Sequence, residues 1–452
     1  MSLGVQLAAA AERHPHAEAV VAGSQRWDYA ELVERVRVVA GGLAGLGVAP
    51  GRRVAAAVRN GPEALLLYWA TQWLGAWYVP VNWRLTADEI GYCVADAQAT
   101  VFAFEPDRPE VAVAPGVSLV DVTALATLAG ADPVAEPAVV ADDQPALMLY
   151  TSGTTGRPKG VPRSQGAEWA AALAHVIQCR YPPADRTLGV MPWYHTMGMR
   201  SLLAMVVVDG CLVVQGAFSG PAALDAIAGD HVTSLYLAPT LFHDLVEAAA
   251  EREGEGPAVP RLAYAGAPMT AALVERCCQV FRPQVFVNHY GSTEIYTFSV
   301  HPDQRAKPGC AGRPGVHARL RLVEGPGATG QIACHMASPE AFTHYWNRPD
   351  ADARAISDGW YLTGDLGYLD ADGDLWVQGR VDDMIITGGE NVFPSEVEDL
   401  LATHPAVSEV AVVGADDERL GQRVVAYVVA AGTAPDPADL DRFCLASGRL
   451  AP

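Results

Sequence analysis

The chain has 452 residues, half of them hydrophobic and 18% charged; this is about three times the length of a typical domain, so more than one lobe is expected. Its formal net charge of −21 would repel nucleic acid and anionic lipid surfaces. No apolar run approaches the roughly 20 residues of a membrane span, and the N-terminus lacks the pattern of an export signal. The sequence therefore predicts a cytoplasmic protein that binds neither nucleic acid nor membranes.

Short β-branched or apolar runs alternate with longer helical patterns through the first 300 residues. This alternation is typical of βα units around largely parallel sheets. An apolar-periodic stretch at 63–74 predicts a helix. Strands are predicted at 54–58, 100–104, 146–150, 232–237, 262–265 and 285–288.

The pattern changes towards the C-terminus. A Pro- and Asp-rich stretch at 133–144 predicts a loop, and turn residues at 325–330 and 370–374 indicate short antiparallel strands. Beyond these come a predicted helix at 395–403, strands at 407–413 and 423–429, and a helix from Pro437. The fold class is therefore α/β: a large N-terminal lobe (1–381) of βα-layered sheets with a β-rich subdomain, and a small α+β C-terminal domain (382–452). Eight cysteines without CxxC pairs are predicted to be reduced packing residues.

The segment YTSGTTGRPKG at 150–160 is the richest in chemically useful groups. Glycines let backbone N–H groups approach phosphate oxygens, and the hydroxyls of Ser152, Thr154 and Thr155 add donors. Lys159, one of two lysines in the chain, supplies a mobile cation. The spacing differs from GxxxxGK[ST], but the combination predicts a loop that binds a polyphosphate.

This segment resembles the phosphate loop of the adenylate-forming superfamily, which includes acyl-CoA and aryl-CoA synthetases, adenylation domains of peptide synthetases, and luciferases. Within it, VTSLYLAPT, RVDDMIITGGENVFPSEVE and an FC-containing C-terminal helix are most similar to 4-chlorobenzoate-CoA ligase-like aryl-CoA ligases. The resemblance extends along nearly the whole chain. Six further motifs follow in the expected order: MPWYHTMG (191–198), AGAPM (265–269), NHYGSTE (288–294), YLTGD (361–365), GRVDD (379–383) and GGENVFPSE (388–396).

The resemblance implies a site for ATP. Lys159, Thr155 and Glu294 would act in catalysis, with the Glu294 carboxylate holding Mg²⁺ against the phosphates, a task that suits its place after a Gly-Ser-Thr turn. Tyr290 would stack on adenine, and Asp365 would accept both ribose hydroxyls. The remaining implied nucleotide contacts are Thr151, Ser152, Gly153, Thr154, Gly156, Gly266, Ala267, Pro268, Asn288, Gly291, Thr293 and Arg380, the last to the ribose or a phosphate.

His195 stands in an aromatic-His-Thr-Met-Gly run. A lone histidine among apolar residues commonly packs in a core, but the resemblance places it beside the carboxylate site as a substrate gate. Amino-acid-activating relatives carry an Asp near this motif, so His195 and Thr196 disfavour an amino-acid substrate. Because the pocket positions mix small, aromatic and polar types, we expect an aromatic or heteroaromatic carboxylate, including acids that bear a hydroxyl or amino group. The implied acyl pocket comprises Ala174, Thr196, Met197, Tyr236, Ala265, His289, Gly291, Tyr296 and Thr297.

The implied reaction has two halves. The carboxylate attacks the α-phosphorus of Mg-ATP to give an acyl-adenylate and pyrophosphate, and the thiol of coenzyme A then attacks the acyl carbonyl and releases AMP. The resemblance implies that the small domain swings about the hinge Asp382 between the halves. Gly388 and Gly389 would thereby reach the pantetheine tunnel, and Arg84 would meet a coenzyme A phosphate.

Three departures from the superfamily pattern keep alternatives open. The C-terminal adenylation lysine is absent before Pro452, so we expect the small domain to be incomplete. Leu420 replaces an aromatic that faces coenzyme A, and PRSQ at 162–165 replaces a flank that often holds histidine. The alternatives are an adenylating enzyme that loads a carrier protein and a catalytically silent nucleotide-binding homologue. The oligomeric state, monomer or homodimer, is left open.

Overall fold

The structure is a computed structural model that describes residues 2–108, 110–128, 132–151, 157–252, 254, 256–323, 329–387, 390–417 and 419–446. The chain divides into two compact units. Unit 1 consists of Met1–Arg319 and His335–Gly359, and unit 2 of Leu320–Cys334 and Trp360–Pro452. A division into compact units does not test the lobe boundary predicted at 381/382 or the hinge predicted at Asp382, so both stay predictions.

Helices alternate with strands along most of the chain. The helices are α1 (Leu3–Arg13), α2 (Tyr29–Gly45), α3 (Pro62–Trp73), α4 (Ala87–Asp96), α5 (Gln165–Cys179), α6 (Thr196–Val207), α7 (Gly220–Gly229), α8 (Pro239–Ala250), α9 (Ala271–Phe281), α10 (Pro349–Ala355), α11 (Pro394–Leu401) and α12 (Pro437–Ala446), with a 3₁₀ helix at Val122–Leu128. The strands are β1 (Glu18–Ala22), β2 (Gln25–Asp28), β3 (Arg53–Ala57), β4 (Trp77–Pro80), β5 (Val101–Phe104), β6 (Ser118–Asp121), β7 (Pro145–Thr151), β8 (Lys159–Ser164), β9 (Arg186–Gly189), β10 (Cys211–Val214), β11 (Ser234–Leu237), β12 (Arg261–Tyr264), β13 (Val285–Tyr290), β14 (Ser299–His301), β15 (Arg313–Pro314), β16 (Leu320–Val323), β17 (Gly330–His335), β18 (Ile356–Ser357), β19 (Trp360–Leu369), β20 (Leu375–Arg380), β21 (Ile385–Thr387), β22 (Glu390–Val392), β23 (Val407–Asp417) and β24 (Gly421–Ala430).

Unit 1 contains two large sheets. One runs in the order β15-β14-β13-β12-β11-β9-β10-β1-β2, and its middle strands, from β13 to β1, are parallel. The other runs β6-β5-β3-β4-β7-β8, parallel except for β8, which pairs antiparallel with β7. Because the central strands are buried on both faces, they read as continuous apolar runs, such as Cys211–Val214. The predicted α/β class is confirmed.

Local sequence signals account for several element ends. Asp28 and Glu31 form a capping box at the start of α2, and Thr86 and Glu89 form another at α4. The helix predicted at 63–74 is α3, and 133–144 has no regular structure, as expected. The predicted strands of this unit are present with boundaries that differ by one or two residues; β11, for example, begins at Ser234 and not at residue 232.

Unit 2 is built mainly from antiparallel strands. β19 and β20 form a hairpin across the predicted turn at 370–374, and β16 pairs with β17; residues 325–328 of the other predicted turn lie outside the described residues. A second sheet runs β22-β21-β24-β23, and α11 packs on it through Val397 and Leu401. β23 extends to Asp417, beyond the predicted end at 413, since it pairs with nearly the full length of β24.

Six of the eight cysteines are buried, which agrees with a packing role. Among the described residues, the helices lack the combination of length and hydrophobicity needed to cross a bilayer.

Candidate active site

A strand pair of unit 1 forms the base of the predicted phosphate loop. β7 ends at Thr151 and β8 begins at Lys159, and these two residues are partners in the antiparallel register. The hydroxyl of Thr151 is buried and makes no hydrogen bond within the described part of the chain. Ser152, Gly153, Thr154, Thr155 and Gly156 lie outside the described residues, so their predicted phosphate contacts stay predictions.

Two of the predicted catalytic side chains meet at a tyrosine that the sequence reasoning missed. The Nζ of Lys159 lies 4.3 Å from the ring centroid of Tyr345. The hydroxyl of Tyr345 donates a 2.7 Å hydrogen bond to Oε1 of Glu294. Burial lowers the pKa of Lys159, and the nearby charge of Glu294 opposes that shift. One tyrosine thus contacts a cation with its ring and a carboxylate with its hydroxyl.

A buried guanidinium fixes the backbone at Glu294. Arg163, on β8, donates hydrogen bonds to the backbone oxygens of Glu294 (3.0 Å) and Glu340 (2.6 Å). Its Nε lies 2.8 Å from Oε1 of Glu168, and both side chains are essentially inaccessible to solvent. Its guanidinium also stacks 3.9 Å from the ring centroid of Tyr296. Arg163 therefore links the phosphate-loop strand to the segment that carries Glu294.

The residues predicted to hold adenine lie at the carboxyl ends of two neighbouring parallel strands. β12 and β13 pair with Tyr264 opposite Asn288, so the segments that follow them lie side by side. Gly266, Ala267, Pro268 and Gly291 are exposed there, while Tyr290 and Thr293 are half-buried. Carboxyl ends of parallel strands are common ligand sites.

Two glycines and one amide of this predicted adenine site have structural roles of their own. Gly266 has φ +90°, which favours glycine, and a Cβ on Gly291 would overlap the carbonyl oxygen of Tyr296. The Asn288 amide donates a 2.9 Å hydrogen bond to the Cys310 oxygen, so this predicted adenine contact serves a structural bond in this structure.

His195 precedes the first turn of α6, and its ring lies 4.6 Å from that of Tyr194. Although His195 keeps substantial exposure, desolvation by its neighbours and the charge of Arg84 lower its pKa. Arg84 donates a 2.9 Å hydrogen bond to the Tyr194 hydroxyl. Arg84 and His195 are exposed beside the buried Tyr194, so an imidazole with a lowered pKa stands beside a cation, a chemistry suited to a carboxylate substrate.

The deeper positions of the predicted acyl pocket pack on one another. The ring centroids of Tyr236 and His289 are 5.5 Å apart, and His175 lies 4.5 and 5.1 Å from them, respectively. Burial and the charge of Arg200 lower the pKa of both histidines. The positions at 4% exposure or less are Ala174, Tyr236, His289, Tyr296 and Thr297.

Arg200 accounts for the polar character of this cluster. It forms a 3.3 Å ion pair with Glu340, and both side chains are buried. The same guanidinium donates a hydrogen bond to the Thr297 hydroxyl and lies 3.5 Å from the Tyr236 hydroxyl. Part of the polarity that the sequence indicated for the acyl pocket therefore belongs to a buried network of side chains around Arg200. Met197 and Ala265 are buried with 7% and 9% exposure, while Thr196 is half-buried.

The predicted ribose contacts of unit 2 form their own pair. Asp365 and Arg380 are opposite each other on β19 and β20, and the Arg380 Nη1 lies 3.0 Å from Asp365 Oδ1. Gly364 has φ +78°, and a Cβ there would approach Arg380 Nη2 at 3.1 Å. Asp382 is exposed two residues further on, whereas Gly388 and Gly389 lie outside the described residues.

Two supporting residues of the site lie outside the sequence motifs that predicted it. Tyr345 lies in a segment without a quoted motif, and only the fold brings it to Lys159 and Glu294. Arg163 lies four residues after Lys159 on β8, whose four central residues are buried, so its charge requires a partner inside the protein. That burial is known only from the fold.

The residues present fit a divalent cation carried by ATP. Mg²⁺ prefers hard oxygen ligands, commonly one or two carboxylates together with substrate phosphates. The Glu294 carboxylate and the unpartnered Thr151 hydroxyl supply oxygens of this kind, and Lys159 adds a counter-charge for phosphates.

Comparison with known proteins identifies the family of this chain. The AMP-binding enzyme family matches residues 7–346, and the AMP-binding enzyme C-terminal domain matches residues 396–451. The o-succinylbenzoate coenzyme A synthetase of Bacillus subtilis, solved in complex with ATP and magnesium ion, superimposes with a TM-score of 0.87 at 29% identity, covering 99% of this chain and 93% of that one.

Curated relatives are similar over most of their length. An indoleacetate–CoA ligase of Aromatoleum aromaticum is 35% identical, covering 89% of this chain and 82% of the relative. A 4-chlorobenzoate–CoA ligase of Arthrobacter sp is 35% identical, covering 97% and 87%. A fatty acid–[acyl-carrier-protein] ligase of Streptomyces coeruleorubidus is 32% identical, covering 96% and 88%.

Proposed function

Because this chain belongs to the AMP-binding enzyme family, we propose that it is an AMP-forming acid–CoA ligase whose substrate is an aromatic or heteroaromatic carboxylate. The observation that carries the proposal is the pair of opposite charges, Lys159 and Glu294, held beside the phosphate loop by Tyr345. Such a pair suits a polyphosphate bound together with a divalent cation. The predicted adenine site at the carboxyl ends of β12 and β13 lies in the same unit as this pair.

The residues of the site divide the work of adenylation. Lys159 lowers the charge repulsion between the phosphates and an incoming carboxylate, and Glu294 binds the Mg²⁺ that arrives with ATP. Bound Mg²⁺ supplies further charge neutralisation at the phosphates. We propose that Tyr290 stacks on adenine and that Asp365 and Arg380 contact the ribose. Most of the catalysis is then positioning and electrostatics.

The acid is proposed to enter beside His195. The lowered pKa of His195 leaves its imidazole neutral near pH 7, so it can hydrogen-bond a carboxylate without trapping it in a strong ion pair. We propose that the small residues Ala265 and Gly291 leave room for a flat ring. Two relatives named above act on acids with aromatic rings, indoleacetate and 4-chlorobenzoate.

Coenzyme A is the proposed thiol, and a carrier protein is the second candidate. Arg84 is exposed beside the site, where it could meet a phosphate of coenzyme A. One relative named above loads an acyl-carrier protein, which favours the second candidate. ATP and coenzyme A are both cytoplasmic metabolites, so we propose the cytoplasm as the location and a monomer or homodimer as the assembly.

The experiment is acid-dependent exchange of pyrophosphate into ATP by the full-length gene product, followed by AMP release with coenzyme A or holo carrier protein. We expect exchange with an aromatic acid and AMP release that depends on coenzyme A. AMP release only with carrier protein would establish the second candidate. Binding of ATP without exchange on any acid would instead indicate a catalytically silent homologue.

A further inference from the structure

Tyr345 occupies the space between two groups of opposite charge. Its side chain is 2% exposed, its hydroxyl bonds Glu294 at 2.7 Å, and its ring lies 4.3 Å from the Lys159 ammonium. Within the described part of the chain, Lys159 and Glu294 make no direct ion pair with each other. One side chain therefore contacts both charges while they stay apart.

The backbone around Tyr345 is tied to both of the segments that it joins. The N–H of Phe342 donates a 2.8 Å hydrogen bond to the Glu294 oxygen, and the N–H of Trp346 donates one of 2.8 Å to the Gly160 oxygen. The Trp346 indole donates to the Asp96 oxygen at 2.8 Å. The rings of Tyr345 and Phe342 meet edge to face at 4.9 Å. Backbone hydrogen bonds on both sides of Tyr345 thus hold its segment to Glu294 and to Gly160.

A tyrosine suits this place for a chemical reason. Its hydroxyl can donate to one carboxylate oxygen in the ring plane, which leaves the other oxygen of Glu294 for a further partner. Its ring face attracts an ammonium without neutralising it. If the ring were absent, Lys159 and Glu294 would attract each other across the gap, and a direct pair would weaken both for a ligand that needs them separately.

We propose that Tyr345 is a positioning residue that holds Glu294 and Lys159 apart and oriented for Mg²⁺-bound ATP. This inference rests on the proposed function, because it assumes that Glu294 meets the cation and Lys159 the phosphates. The hydroxyl serves Glu294 and the ring serves Lys159, so the two parts of the side chain have separable effects.

The test measures the ATP dissociation constant by calorimetry, with and without Mg²⁺, in the absence of acid. Tyr345→Phe removes only the hydroxyl, and we expect the gain in affinity from Mg²⁺ to fall about tenfold or more, since hydrogen bonds to charged groups are the strong ones. Affinity for ATP without Mg²⁺ should change less than about twofold. Tyr345→Leu also removes the ring, and both affinities should fall.

Tyr29→Phe is the matched control, because it also removes one buried hydroxyl, bonded to the Gly210 oxygen at 2.9 Å, and Tyr29 contacts neither charge. A general loss of stability would lower both affinities alike, so the ratio isolates positioning. An unchanged or larger Mg²⁺ effect in Tyr345→Phe would overturn the inference. If the unmodified protein bound ATP with no Mg²⁺ effect, the proposed function itself would fail.

Discussion

Replacement of Arg163 by methionine is expected to destabilise unit 1 strongly. The substitution keeps a long side chain but removes the partner of Glu168, in a pair with 0% and 1% side-chain exposure. Breaking a buried pair by removing one partner costs about 3–5 kcal/mol, because the other charge stays buried. The Glu340 oxygen also loses its 2.6 Å donor. A loss of about 3–5 kcal/mol is a large fraction of the 5–15 kcal/mol that stabilises a typical protein.

The remaining charge, and not the lost contact, should dominate this cost. The double variant Arg163→Met/Glu168→Leu removes both charges, so we expect it to recover at least about 2 kcal/mol relative to the single variant. Arg354→Met is the control, since its pair with Asp350 has 62% and 50% side-chain exposure. An exposed pair of this kind contributes little to stability, because water and salt screen it.

The assay is urea unfolding combined with hydrogen exchange of peptides from β7 and β8. Exchange of these peptides reports on unit 1 alone, which matters because two compact units need not unfold together. Equal destabilisation by Arg163→Met and Arg354→Met would refute the reasoning. So would a double variant that is as unstable as the single one.

Three further predictions concern titration and ligand contacts. Burial lowers the pKa of His175 and His289 below the ordinary 6.5, so below that pH the unfolded chain binds more protons than the folded protein. The free energy of unfolding should therefore be highest above pH 6.5. As the pH drops, it should fall by up to about 1.4 kcal/mol per pH unit for each histidine. His289→Gln should reduce that slope in urea unfolding, and a flat profile in the unmodified protein would contradict the assignment. Because burial lowers the pKa of Lys159, ATP affinity should begin to fall at a pH below the usual lysine value of 10.5, whereas Lys159→Arg should bind ATP with little pH dependence up to pH 10; equal profiles in calorimetry would count against it. Asp365→Asn should weaken AMP binding about tenfold, while Asp372→Asn, in the exposed turn of the same unit, should not, and equal affinities would remove Asp365 from the ribose contact.

The sequence predicted the fold well where one kind of signal dominated. Continuous apolar runs indicated the buried strands, and the apolar periodicity at 63–74 predicted α3. Boundaries were less certain, because pairing partners decide them: β23 continues to Asp417 only because β24 runs alongside it. No local pattern in 414–417 carries that information.

The site was predictable for residues in motifs and unpredictable for the residues that support them. Lys159 and Glu294 stand in recognisable segments, but Tyr345 reaches them from about 50 residues beyond Glu294, a distance that only the fold closes. Polar residues of the acyl pocket were read as substrate contacts, although Arg200 and Glu340 engage some of them inside the protein. A residue type alone does not say whether its partner is a substrate or another side chain.

Mass spectrometry of the products formed from ATP, Mg²⁺, coenzyme A and a panel of aromatic, heteroaromatic and aliphatic acids tests the central claim most directly. With this protein, we expect AMP, pyrophosphate and an aryl-CoA thioester, with aromatic or heteroaromatic acids preferred over aliphatic ones. Thioester formation only from aliphatic acids would contradict the proposed substrate class. The absence of any CoA thioester, under conditions where ATP is bound, would contradict the ligase itself.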